Sequence, residues 1–231
     1  MPQLLETLYA KLLAHYGAQY WWPHESKWEI MVGAILTQNT SWRNVERALE
    51  NLKRADALAP RRIRALRLDR LAKLIRPAGF TSSKPRRLKS LAKFLLRAYA
   101  DEPDKMRGGD LMTQRAQLLA LHGVGPETAD AILLYAAHQP IFVIDAYTRR
   151  ILTRLGLAES NAGYQELQAL FMENLPPDAA LFNEFHALLD THAKYTCTKR
   201  APHCAECPLN QMCLRKGLET GDGRGSDGER E

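Results

Sequence analysis

The chain has 231 residues, 45% of them hydrophobic, with a formal net charge of +6 and a pI of about 9.2. That apolar content supports a packed core and excludes a disordered polypeptide, while the modest positive excess favours an anionic partner without naming one. No apolar run approaches the ~18 residues of a membrane span or the leader of a secreted chain, so a cytoplasmic protein is expected, with no membrane partner.

Leu4, Leu5, Leu8, Leu12 and Leu13 recur at helical spacing and predict an amphipathic helix over residues 3–16. Tyr20, Trp21 and Trp22 then stand together before Pro23. Neighbouring side chains cannot share one helix face, so at least one indole should project away from the local core. Residues 27–37 read as a buried helix ending in Gln38, Asn39 and Thr40, and the next helix opens at Ser41 and Trp42. A polar cluster with an aromatic between two apolar helices suits a functional loop, although Ser41 or Thr40 could equally be an N-cap. Further helices are predicted over 42–54, 60–67 and 68–75. Residues 79–87 combine a turn with a basic helix start that includes Lys84, Arg86 and Arg87, leading into a helix over 86–99. Positive charge there opposes the helix dipole, and a docked anion would reverse the penalty.

Leucine and alanine spacing predicts a helix over 113–121, followed by the tight turn Gly123-Val124-Gly125 and then Pro126, a residue suited to the first position of a helix. The unit is helix, hairpin, helix, and its free backbone N–H groups offer a site for a phosphate oxygen. The apolar run 141–144 delivers Asp145 to the start of a helix over 146–155. No strand is convincing, so the fold class is all-α.

Cys197, Cys204, Cys207 and Cys213 lie within 17 residues, with gaps of six, two and five. In a cytosolic chain four clustered thiols point to a metal or cluster site before a disulfide. Zinc competes with iron–sulfur, but zinc modules usually show two close pairs and only Cys204 and Cys207 form one. Lys199 and Arg200 lie inside the first gap. Residues 216–231 have little to bury and read as a disordered tail.

Two of these motifs, residues 121–150 and the cysteine spacing, together resemble the endonuclease III, or helix-hairpin-helix-GPD, superfamily of DNA glycosylases over roughly residues 1–215. The resemblance implies two helical lobes around a DNA-binding cleft: a six-helix barrel at 27–137 carrying the hairpin, and a cluster lobe made of 1–26 and 138–215. It implies a monomer acting on double-stranded DNA that contains a damaged base. Asp145 would be the catalytic carboxylate, and Gly123, Val124 and Gly125 the phosphate-binding hairpin. The four cysteines would hold a [4Fe-4S] cluster, with Lys199 and Arg200 on the DNA backbone. By family position, Gln38 would enter the space left by a flipped base and Phe80 would wedge the opposite strand; Lys84, in the basic helix start, is also expected at the DNA.

Bifunctional members carry a nucleophilic lysine 18 residues ahead of the aspartate, where this chain has Glu127. A carboxylate cannot form the Schiff base an amine forms, so a monofunctional enzyme is expected, in which water attacks. YWWP, GAILTQNT, residues 123–133 and IDAYTRR also resemble the 3-methyladenine DNA glycosylases of the superfamily, some of which lack the cluster. That likeness implies Trp21, Trp22, Trp42 and Glu127 as base-pocket residues, where aromatic faces would hold a cationic base. The alternatives are a mismatch glycosylase for adenine or thymine, an oxidised-pyrimidine glycosylase with lyase activity, and a non-catalytic DNA-binding module.

Overall fold

The computed structural model describes residues 1–218; most of the expected tail therefore lies outside the described residues. Those residues form eleven α-helices and no strand. They are α1 (Pro2–Tyr16), α2 (Lys27–Leu36), α3 (Trp42–Arg54), α4 (Pro60–Ala65), α5 (Leu68–Leu74), α6 (Lys84–Tyr99), α7 (Leu111–Leu119), α8 (Pro126–Ala131), α9 (Ala146–Leu155), α10 (Tyr164–Met172) and α11 (Ala179–Tyr195).

The centre is α2, in which every residue from Trp28 to Leu36 is buried. Such an all-round apolar helix is stable only when other helices enclose it, and α3, α6 and α8 pack around this one. Its start is capped by Ser26, whose hydroxyl accepts the Glu29 N–H at 3.2 Å. Glu29 is itself buried and pairs with Lys53 of α3 at 2.8 Å. On the other side α1 lies on α11, which packs on α9.

After α8 the helix widens into a π turn, Ile132–Ala136, which closes with the Ala137 N–H donating to the Ile132 carbonyl at 3.2 Å. Such turns insert a residue and re-aim a side chain. Here the wall of a cleft is re-aimed, with Tyr135 facing Trp22.

Asp130 on α8 is wholly buried. Its carboxylate accepts from Arg115 Nε at 2.7 Å and Nη2 at 3.1 Å, from Tyr164 Oη at 2.9 Å and from Gln168 Nε2 at 2.8 Å. One anion thus ties α7, α8 and α10. Gln168 also donates to the Phe142 carbonyl at 2.6 Å, so the network anchors the extended run that delivers Asp145.

Candidate active site

Asp145 is the N-cap of α9, and its Oδ1 accepts the Thr148 N–H at 2.7 Å. This bond and the positive helix end both favour the carboxylate anion. The run before it is buried, with Phe142 stacked on Phe171 at 3.7 Å between ring centres. Asp145 is therefore presented from a fixed backbone.

Facing it is an aromatic wall. Ring centres are 5.2 Å apart for Trp21 and Trp22, 4.8 Å for Trp21 and Trp42, and 5.1 Å for Trp22 and Trp42. Trp22 lies flat against α2 at Gly33, where a Cβ would come within 2.8 Å of the indole. Only glycine leaves that room. Both adjacent indoles face the cleft, contrary to the expectation that one would project; the residue that projects is Tyr20, which is 86% exposed.

The indoles, Gln38, Glu127 and Asp145 line one cleft of about 230 Å³. Glu127 sits in the first turn of α8. Although its surface is partly open, desolvation in the cleft, with the Asp145 charge second, raises its carboxyl to about 7. Sequence reasoning missed Tyr135, His186, Asp190 and Lys194, which line the same cleft. Lys194 pairs with Asp190 and stands 5.9 Å from the Trp21 ring centre. The last three lie on α11, far along the chain, and no local pattern pointed to them.

The hairpin closes one end of the cleft. Gln38 Nε2 donates to the Gly123 carbonyl at 3.0 Å and to Thr128 Oγ1 at 2.9 Å, while its Oε1 accepts from Arg87. Gly123 has φ 77, and the Arg87 side chain occupies the space a Cβ would need. Gly125 caps α8 and is exposed with Gly123, whereas Val124 turns its side chain into the core.

A family model described as the HhH-GPD superfamily base excision DNA repair protein matches residues 32–177. The chain belongs to the HhH-GPD superfamily. As a member it is a base excision DNA repair glycosylase, 46% identical over 215 residues to a Methanocaldococcus jannaschii protein named as a DNA repair glycosylase, across 93% of this chain and 97% of that one. It is 32% identical to the thymine-DNA glycosylase of Aeropyrum pernix, across 81% of this chain and 82% of the relative. A solved trapped endonuclease III–DNA covalent intermediate shares the fold, with a TM-score of 0.80 at 22% identity, covering 93% of this chain and 96% of that one. The 3-methyladenine DNA glycosylase MagIII of H. pylori, solved bound to 1,N6-ethenoadenine, has a TM-score of 0.67 at 30% identity, covering 83% of this HhH-GPD chain and 96% of the other.

Two expected DNA contacts are placed differently in this HhH-GPD protein. Phe80 stands 55% exposed on its turn. Lys84 is fully buried, and its ammonium donates to the carbonyls of Leu36 and Ala78 at 2.8 Å each. It cannot reach a DNA backbone; the helix start orders its basic residue inward to close the end of α2.

The four cysteines line one further cavity, with Arg154 and His192. Among the described residues no three His, Cys, Asp or Glu side chains converge to hold a single metal ion. Arg154 Nη1 donates to Cys197 Sγ at 3.1 Å, and the Leu209 N–H donates to Cys207 Sγ at 3.4 Å. Donors aimed at sulfur suit thiolates. Lys199 and Arg200 are exposed beside the cavity, and the Lys199 carbonyl accepts from Arg154 at 3.0 Å.

Proposed function

We propose that this protein is a monofunctional glycosylase that flips an alkylated base such as 3-methyladenine from duplex DNA and releases it by hydrolysis. The observation that carries this reading is one cleft holding three indoles, Asp145 and, in place of an amine, Glu127. A base that already carries positive charge leaves without being protonated, and stacked indoles hold it by cation–π attraction of roughly 1–2 kcal/mol once desolvated. Asp145 offsets the positive charge that develops on the sugar, as carboxylates do in glycoside cleavage. The C1′–N bond breaks with its electron pair on the base, water adds to C1′, and its proton passes to Asp145. Gln38 and Phe80 would fill and wedge the duplex, and the exposed hairpin glycines, Lys199 and Arg200 would meet its backbone.

The cleft divides a unit at 27–137 from a second made of 1–26 and 138–215, and DNA would lie across it. Cys197, Cys204, Cys207 and Cys213 would hold a [4Fe-4S] cluster, because they line one cavity and their six-two-five spacing resembles the cluster loop of endonuclease III-like glycosylases. When bound, the cluster would act as a structural crosslink of the C-terminal loop.

The test is chromatography of bases released from methylated duplex DNA, with and without alkali treatment of the strand. Free 3-methyladenine, with strand breaks only after alkali, is the expected result. No release would remove the alkylbase assignment. Breaks without alkali would show that an amine, Lys194 being the one in the cleft, attacks the sugar.

A further inference from the structure

His186 on α11 is buried between Tyr135 and the ring of Phe142, 9% exposed. Tyr135 Oη lies 2.5 Å from His186 Nδ1, and the phenol has no other hydrogen-bond partner among the described residues. Burial, with Asp190, Asp145 and Glu184 adding to it, pushes the Tyr135 phenol well up, so it keeps its proton. The phenol therefore donates and Nδ1 accepts, which leaves the proton of the neutral imidazole on Nε2. Nε2 is buried and has no partner, and Asp145 Oδ1 lies 3.9 Å from it.

Such a distance is too long for a hydrogen bond, which needs roughly 2.7–3.2 Å. A buried donor without a partner is destabilising, and a catalytic role is one of the explanations for keeping it. The Asp145 side chain is held only at Thr148, so a small rotation brings its carboxylate onto Nε2–H. Hydrogen bonds in catalytic sites are often long before substrate arrives and tighten afterwards.

We propose that His186 is a positioning residue for Asp145: with its proton placed on Nε2 by Tyr135, it closes onto the Asp145 carboxylate when a flipped base fills the cleft, and holds that carboxylate ionised and oriented while the base departs. The proposal rests on the reading of Asp145 as the carboxylate that faces the sugar. A base entering the cleft displaces its water, and an N–H aimed at an anion is then worth more than in solvent. Tyr135 is the outer member of the same array, fixing the tautomer of a ring whose other nitrogen faces the anion. The other titratable groups lining the cleft with Asp145 are Glu127 from α8, Tyr147 from α9, and Asp190 and Lys194 from α11. Asp190 and Lys194 neutralise each other as a pair, and Glu127 is the same in every chain compared below.

The experiment is single-turnover base release from methylated duplex DNA as a function of pH, for wild type, Asp145→Asn, His186→Leu, His186→Gln and Tyr135→Phe. Removing a donor from an anion raises its pKa, so activity is lost at a higher pH on the acid side. His186→Leu, which keeps bulk without a donor, should lower the rate at neutral pH about tenfold and move the acid limb up by about one pH unit. His186→Gln retains an N–H and should recover most of both, and Tyr135→Phe, which frees the tautomer, should fall between. Equal rates for the Leu and Gln variants, or a loss that is the same at every pH, would reduce His186 to a packing residue and overturn the proposal. If His186→Leu does not fold, Tyr135→Phe decides: an unmoved acid limb overturns it. Turnover by Asp145→Asn would instead overturn the underlying reading of Asp145, an outcome distinct from a silent His186.

Discussion

Glu127 and Asp145 are two carboxylates in one cleft held under opposite influences. Asp145 receives a backbone N–H and a helix N-terminus, which suit an anion, whereas desolvation and the neighbouring Asp145 charge bring Glu127 to about 7. Burial is the larger cause at Glu127 and the Asp145 charge the smaller, so Glu127 is the carboxyl that the cleft pushes towards its neutral form. The same position decides between two chemistries, because an amine there could attack C1′ as a carboxylate does not. Glu127→Lys should therefore gain a covalent complex with substrate DNA that borohydride traps, and strand breaks that need no alkali, neither being formed by wild type. If no complex is trapped, position 127 does not reach the sugar, and the case for a monofunctional enzyme loses its main support. This position could be read from the sequence because it is fixed by spacing to Asp145. His186, about three turns of helix before the cysteine loop, could not, since a lone histidine in an apolar helix is ordinarily a core residue.

The helices themselves followed from periodicity where the pattern is amphipathic: α1, α3, α5 and α7 fall within two residues of the expected ranges. The π turn at 132–136 did not, because its sequence, ILLYA, reads as uninterrupted helix and only the packing of Tyr135 against Trp22 and His186 reveals the inserted residue. The start of α6 was misread in a more instructive way. Lys84 was expected at an anion because a cation at a helix start is unfavourable, and the charge is instead met by the carbonyls that end α2 and the 76–78 turn. Burial, together with the Arg87 charge, lowers the Lys84 amine from 10.5 to about 8. The native state then releases its proton at lower pH than the unfolded chain, so the unfolded state binds more protons across that window and unfolding free energy rises with pH between about 8 and 10.5. Urea unfolding of wild type should show this rise. In Lys84→Met the rise should vanish, and at neutral pH the variant should be less stable because two buried carbonyls lose their donor. A pH slope that survives the substitution would assign it to another group.

The molecule joins its two ends to make both the cleft and the cysteine cavity. Tyr16, at the end of α1, shares hydrogen-bond contacts with His192 Nδ1 at 2.8 Å and Thr196 Oγ1 at 2.6 Å, and Gln19 reaches Glu184 and Thr191 on α11. The strap from 17 to 22 then carries Trp21 and Trp22 into the cleft wall. One face of α11 supplies His186, Asp190 and Lys194 to the cleft, and its last turn, with His192, meets the cavity of the cysteines. A group bound by the four thiolates would therefore brace the helix that carries the cleft's polar side. The protein purified with its cofactor intact should contain iron and acid-labile sulfide in equal amounts and no zinc. Removing the iron with a chelator after oxidation should lower the thermal midpoint and, by loosening the end of α11, also slow base release. Zinc without sulfide would mean that the thiolates close on a single ion after all. Iron that leaves with no change in thermal midpoint would mean that the loop is held by Arg154 and its carbonyl partners at Cys197, Thr198 and Lys199, which it also binds in the structure.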